Sequence, residues 1–297
     1  MKIQSISVVV PAWADDGNCV NNCRFCVSRM HNSEDKYVHH SNPPWGPAYI
    51  NDCIRRLTFA HQNGCNSLLL TGTTDPQINR KFLTGFANML NKMGNPFPLI
   101  EIQTTGTLWD DRTWEQMEWI GVSTISLSIN SFDDEENFWC RGHNTRAELS
   151  EKNVYIKSFC EEIKRRGYNL RLSLNLTKWF SCMNKMEVFD WAKKFGADQL
   201  TFRKLYAQED TSQAKWIETN GADEEWLNGL KVVVQNLPLV RRLETGVAIR
   251  AYDDMSVVYD QDCMDKTDRD DNVLRYVILR PNGKLYSSWD SKASLIF

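Results

Sequence analysis

The chain has 297 residues, 42% of them hydrophobic and 25% charged, enough for a core and a solvated surface, which excludes a disordered or collagen-like polymer. Lys and Arg number 35 against 38 Asp and Glu, a net charge of −3, so no basic excess marks a nucleic-acid binder. No apolar run approaches the roughly 20 residues of a membrane span, and residues 3–10 follow Met1 with no basic stretch or cleavage site, so a cytoplasmic protein is expected.

Along the chain, short apolar runs alternate with longer amphipathic stretches, the pattern of a parallel sheet built from βα units. Strands are predicted over 3–11, 67–71, 99–104, 124–129, 169–175 and 199–203, and helices over 46–63, 78–92, 111–119, 146–166, 185–195 and 223–235. Asp111 and Asn184 fit helix N-termini, and Gly64, Gly94, Gly167 and Gly196 fit C-terminal caps. Six units fall two short of an eightfold barrel, so the predicted class is α/β, a partial (β/α)6 TIM-type barrel. After a polar linker over 208–221, β-like runs follow over 247–252, 256–259, 273–280 and 284–289, with Pro281-Asn282-Gly283 as a hairpin turn. The predicted organisation is a core barrel over 1–207 and a C-terminal helix and β-hairpin extension over 208–297 that covers it.

Nine cysteines make an odd count with no disulfide framework. Cys53, Cys65, Cys140, Cys160 and Cys182 read as small buried hydrophobes, and Cys263 stands alone near the C-terminus. The remaining three are clustered in Cys19-Val20-Asn21-Asn22-Cys23-Arg24-Phe25-Cys26, directly after the first predicted strand. Three thiolates on one loop can take three irons of a 4Fe–4S cluster and leave the fourth iron open to a ligand. Zinc, with His31, His39 or His40 as fourth ligand, is the alternative.

The spacing C-x3-C-x2-C, with aromatic Phe25 before the last cysteine, resembles the radical S-adenosylmethionine (SAM) superfamily. The resemblance implies that Cys19, Cys23 and Cys26 hold one 4Fe–4S cluster whose unique iron is chelated by SAM. One electron then cleaves SAM to a 5′-deoxyadenosyl radical, which takes a hydrogen from the substrate. It implies an oxygen-sensitive enzyme served by an electron donor such as flavodoxin or ferredoxin, with Phe25 against the adenine. Gly72-Thr73-Thr74-Asp75, at the end of the second strand, resembles the glycine-rich segment that receives SAM's amino group, with threonines where glycine is usual and Asp75 in place of glutamate.

Ser126, Ser128 and Asn130 share one face of the fourth strand and resemble residues that bind SAM's ribose and carboxylate. Ser173 and Asn175, on the fifth strand, would face the barrel mouth near the adenine. Arg141, in Cys140-Arg141-Gly142-His143, resembles an Arg-Gly element of the molybdenum-cofactor-cyclase branch, and His143 reads as a surface hydrogen-bonding residue or a proton carrier. Gln103, Arg203 and Tyr206 end the third and sixth strands, where substrate is bound in such barrels. Arg203 would meet an anionic substrate group, SAM's carboxylate or a loop acid.

Residues 277–289 resemble the hairpin that opens SPASM or twitch extensions. Ser288 stands where a cysteine is usual, so a degenerate extension without an auxiliary cluster is expected. Trp13, Trp139, Trp179, Trp216 and Trp289 are candidate pocket walls. Members of this branch modify peptides, nucleotides and small metabolites. A peptide or small-metabolite substrate is the first expectation, with no membrane or nucleic-acid partner. A nucleotide or nucleoside, with Arg203, Lys204, Arg241 and Arg242 meeting phosphates, is the second. A non-catalytic zinc protein is the reading from another class.

Overall fold

Leucine, isoleucine and valine at every second position build most of the sheet, because alternate side chains of a strand point to opposite faces. A computed structural model describes residues 2–12, 19–30, 43–145, 148, 151–208, 210–260, 272–289 and 291–297. The first six units are β2 (Ser5–Val10), preceded by the short β1 (Lys2–Ile3) and followed by α1 (Val27–Met30) and α2 (Pro47–Gln62); β3 (Ser67–Gly72) with α3 (Arg80–Lys92); β4 (Leu99–Thr104) with α4 (Asp111–Ile120); β5 (Thr124–Ile129) with α5 (Asp134–Cys140) and α6 (Ile156–Arg165); β6 (Asn169–Asn175) with α7 (Lys178–Ser181) and α8 (Lys185–Lys194); and β7 (Gln199–Arg203) with α9 (Ser212–Asn220) and α10 (Glu224–Asn236). β2 to β7 lie side by side, all parallel, in chain order.

The core lies between this sheet and the helices. On β4, Ile100 and Ile102 face it, and α3 answers with Phe82, Leu83, Phe86, Ala87, Met89 and Leu90, the i, i+3, i+4, i+7 spacing of one helical face. Asn184 opens α8 with a capping box to Glu187. Asp110, one residue before the predicted cap, accepts the Thr113 N–H of α4.

Three local predictions need correction. The linker over 208–221 contains α9, whose N-cap Thr211 accepts from Ala214. An unpredicted helix, α5, is capped by Asp133 and carries Asp134, Glu135 and Glu136 in its first turn, favourable against the positive end of the helix dipole. Of the helix predicted over 146–166, the described residues are helical at Glu148, Glu151 and Lys152, irregular over 153–155, and helical again as α6 from Ile156.

The C-terminal strands are β8 (Leu239–Arg242), β9 (Ala248–Tyr252), β10 (Met255–Asp260), β11 (Val273–Leu274), β12 (Val277–Leu279) and β13 (Leu285–Tyr286). β10 pairs parallel with β7, and β12 pairs parallel with β2, so each edge of the six-stranded sheet gains a parallel strand. β9 and β8 continue antiparallel beyond β10, and β13 beyond β12. Where a hairpin covering the barrel is predicted, β12 and β13 therefore extend its edge. All three residues of β12 are buried, as suits a parallel strand covered on both faces.

β10 and β12 do not pair with each other, so the barrel is not closed among the described residues. A side-chain contact spans the gap instead: Arg275 Nη2 lies 3.1 Å from Asp260 Oδ2. Cys53, Cys65, Cys140 and Cys160 are buried as predicted, whereas Cys182, just after α7, is exposed. Cys263 lies outside the described residues. No described helix is long and apolar enough to cross a membrane.

Candidate functional site

The loops and strand ends on the carboxyl side of β2 to β7 carry the residues singled out in the sequence, the side on which enzymes of this architecture build their sites. After β2, the cysteine loop turns into α1 through Cys26 N–H to Cys23 O (3.2 Å) and Arg29 N–H to Cys26 O (3.1 Å). Its far side is fixed to the segment after α5 by Asn22 N–H to Arg141 O (2.8 Å) and Arg24 N–H to Cys140 O (3.2 Å). Gly142 makes this approach possible. Its φ is +79°, and a Cβ there would lie 2.0 Å from the Asn22 carbonyl oxygen.

Cys23 lies in the fields of the other two thiols. Burial pushes the Cys23 thiol well up, Cys26 and Cys19 push it further, and Arg141 opposes them. Burial and the charge of Asp75 raise Cys19, which accepts the Asn21 N–H at 3.4 Å. Cys26 Sγ lies 3.0 Å from Ser28 Oγ. Arg141 is 1% exposed, and none of its three guanidinium nitrogens has a hydrogen-bond partner among the described residues. Burial lowers its pKa, against the fields of Cys23 and Asp75.

A buried cation without an acceptor is costly, and an anionic group beside Cys23 removes that cost. Three soft thiols and one unsatisfied guanidinium therefore fit an iron–sulfur cluster ligated by thiolates. Among the described residues no three His, Cys, Asp or Glu side chains are disposed to hold a single ion. A cubane takes each thiolate at a different iron and does not require such convergence. His31, His39 and His40 lie outside the described residues.

Asp75 is buried at the end of the loop after β3. Its carboxylate accepts from Thr104 Oγ1 (2.7 Å), the Thr105 N–H (3.2 Å), Thr105 Oγ1 and Asn21 Nδ2 (3.3 Å). Those donors take up its lone pairs, and burial still raises its pKa against them. Asp75 thus ties the β3 loop to the loop after β4. Gly72, at the end of β3, packs so closely on β2 that a Cβ would lie 2.2 Å from the Val10 oxygen. Thr73 is half-buried and Thr74 buried beside Cys19.

A second group forms at the ends of β5 to β7. Asn175 Nδ2 donates to Asn130 Oδ1 (3.1 Å), and Arg203 Nε donates to Ser173 Oγ (2.8 Å). Ser128 is the register neighbour of Ser173, and Ser126 lies deeper, 1% exposed. Arg203 therefore finds a hydroxyl and no loop acid among the described residues. Gln103 donates to Glu101 (3.2 Å), which pairs with Arg171, which in turn reaches Gln199 (2.8 Å). This polar row across the inner face was not anticipated. The signal was present, since Glu101 and Arg171 fall on the same alternation as Gln103 and Ser173. Tyr206 is half-buried beyond β7.

The Phe25 ring centroid is 5.8 Å from that of Trp216 on α9. Trp139 and Trp179 are exposed, Trp289 packs on Val9, Ile278 and Tyr286, and Trp13 lies outside the described residues. His143, read as a surface residue, is 2% exposed. Its ring stacks on Phe138 at 4.9 Å, with Nε2 2.9 Å from Asn21 Oδ1.

Among solved structures, Streptococcus suis SuiB bound to S-adenosylmethionine is similar, with TM-score 0.57 and 13% identity over 96% of this chain and 60% of that one. SuiB bound to precursor peptide SuiA matches with TM-score 0.54 and 19% identity over 80% and 46%. Coproporphyrinogen III oxidase (HemN) from Escherichia coli, a radical SAM enzyme, matches with TM-score 0.50 and 13% identity over 79% and 52%. The chain thus spans about half to three fifths of these proteins, and at such identities the likeness speaks for the fold. No curated protein matches the sequence. The model of the radical SAM superfamily matches residues 17–176, more than half of the chain. With its cysteine loop at the carboxyl end of the first long strand of a parallel sheet, the chain belongs to the radical SAM superfamily.

Proposed function

We propose that the protein holds one 4Fe–4S cluster through Cys19, Cys23 and Cys26, cleaves SAM reductively, and abstracts a hydrogen atom from a peptide or small-metabolite substrate. The observation that carries this reading is Arg141, enclosed beside Cys23 with three guanidinium nitrogens lacking acceptors. A cluster held by Cys19, Cys23 and Cys26 would supply the electron for reductive cleavage of SAM. The chain's own residues bind, orient and exclude water.

In this reading Phe25 forms one wall for the adenine. Gly72, Thr73, Thr74 and Asp75 line the amino end of SAM, with Asp75 holding the loop in shape through Thr104 and Thr105. Arg141 meets the negative charge of the cluster or of SAM's carboxylate. Ser128, Asn130, Ser173 and Asn175 supply hydroxyl and amide partners for the ribose and adenine. Gln103, Arg203 and Tyr206 face the substrate. Residues 1–207 form the SAM-binding core, and residues 208–297 form the part that shapes substrate access.

Arg203, at the carboxyl end of β7 with only the Ser173 hydroxyl as its hydrogen-bond partner among the described residues, favours a substrate rich in hydrogen-bonding groups. The precursor peptide bound by SuiB supports a peptide within that class. The nucleotide reading has less support. Arg241 and Arg242 stand on β8, three strands from Arg203, roughly 14 Å away at sheet spacing, and Lys204 is paired with Glu224 at 2.5 Å. An external donor such as flavodoxin or ferredoxin would deliver the electron.

Anaerobic reconstitution with iron and sulfide tests the assignment. The expected result is a brown protein that converts SAM to 5′-deoxyadenosine under a reductant, with turnover abolished in Cys23→Ala. One equivalent of zinc, no iron uptake and no cleavage would overturn it.

A further inference from the structure

We propose that Asn21, between the first two cysteines, is a positioning residue that fixes the cysteine loop and aims a backbone N–H at Cys19, and that His143 sets the direction of its amide. The inference rests on the reading of this loop as the cluster loop. Asn21 is 3% exposed. Its Nδ2 donates to Asp75 Oδ2 (3.3 Å) and Thr105 Oγ1 (3.1 Å), and its Oδ1 accepts from Thr107 Oγ1 (3.2 Å) and meets His143 Nε2 at 2.9 Å. An amide offers two N–H donors and two lone pairs, so all four are used.

One side chain thereby gathers the loops after β2, β3 and β4 and the segment after α5. Its orientation follows from its partners. An ionised Asp75 can only accept, so the NH2 must face it, and a flipped amide would set oxygen against carboxylate. Oδ1 then faces His143, whose Nε2 must carry a hydrogen. Stacking on Phe138 and the approach of Glu148 to Nδ1 (3.7 Å) hold the ring in place.

The backbone of the same residue touches the metal-binding loop itself. Asn21 N–H donates to Cys19 Sγ (3.4 Å), and Arg29 Nη2 donates to Asn21 O (3.4 Å). Hydrogen bonds to cluster sulfurs raise the reduction potential, because they stabilise the more negative, reduced state. An anchored amide thus keeps that N–H on its sulfur and keeps the loop in register with the β3 loop. Groups in such supporting positions change affinity or activity by about 10–100-fold when removed.

The test compares reconstituted wild type with Asn21→Ala, His143→Leu and His143→Gln, reading iron per chain, the cluster's midpoint potential, and SAM affinity from the SAM-induced change in the EPR signal of the reduced cluster. Asn21→Ala should retain iron through the three thiols, shift to a more negative potential and bind SAM about tenfold more weakly. His143→Leu should move both readouts in the same direction, while His143→Gln, which keeps an N–H donor, should restore them. The Asn21→Ala, His143→Leu double variant should be no worse than Asn21→Ala alone. Wild-type potential and SAM affinity in Asn21→Ala, or equal losses in His143→Gln and His143→Leu, would overturn the proposal while leaving the cluster assignment intact. A wild-type protein that takes up no iron would overturn both. The His143 variants decide the matter should Asn21→Ala fail to fold.

Discussion

Arg141 concentrates the energetic tension of the site in one residue. Its guanidinium is enclosed without acceptors among the described residues, so the cluster-free protein bears an uncompensated desolvation cost. Arg141→Met, of similar length and uncharged, should stabilise the cluster-free form by about 1–4 kcal/mol. The same change should weaken cluster or SAM binding, so thermal melts before and after reconstitution should move in opposite directions. His143 gives a pH signature. Burial holds its pKa below the ordinary 6.5, so the folded state binds fewer protons than the unfolded state in that range. Its contribution is therefore fully present above about pH 6.5 and is lost as pH falls below it. Urea midpoints at about pH 7.5 and about pH 5.5 should differ less in His143→Gln than in wild type.

Where elements meet, two glycines with similar backbone angles should behave differently. Gly142 has φ +79° and lies against the Asn22 carbonyl, whereas Gly94 has φ +72° with nothing within 4 Å of an added Cβ. Gly94→Ala should cost only the strain of a left-handed residue, about 1 kcal/mol, and leave iron uptake unchanged. Gly142→Ala should cost more, because the same strain is joined by the clash of its Cβ with the Asn22 carbonyl oxygen, and should reduce iron per chain because the atom it strikes belongs to the cysteine loop. Asn79 links two elements at once. Its Oδ1 caps α3 through the Phe82 N–H (3.0 Å), and its Nδ2 reaches the Pro11 oxygen after β2 (2.8 Å). Asn79→Ala should destabilise by about 1–3 kcal/mol, since it removes a cap and leaves a buried carbonyl short of a donor. Chemical denaturation measures this directly.

Across the whole molecule, the site depends on eight parallel strands, six contributed in order and two added by the C-terminal segment at opposite edges. Arg275 and Asp260 bridge those edges, with Asp260 largely buried. Asp260→Asn should lower stability by about 1–3 kcal/mol, the scale of a hydrogen bond to a charged group, seen as an earlier denaturation midpoint. Four predicted strands, 99–104, 124–129, 169–175 and 199–203, have the observed bounds. Alternating apolar residues and capping glycines encode such elements within a few neighbouring positions. The cysteine spacing was legible for the same reason, and it was enough to indicate three thiols on one loop and the chemistry they suit. The hairpin of β12 and β13 was legible too, in two β-like runs around an Asn-Gly turn, but the place of β12 beside β2 depends on pairing across more than 250 residues of chain. Nor does any local pattern distinguish Asn21 from Asn22, or turn His143 inward. Sequence alone determined the βα order and the clustered cysteines, both written in short-range periodicity and spacing. Only the tertiary structure decided which edges the last strands extend, which acceptors Arg141 lacks and which four segments meet at one amide, because those depend on how distant loops converge when the sheet curves.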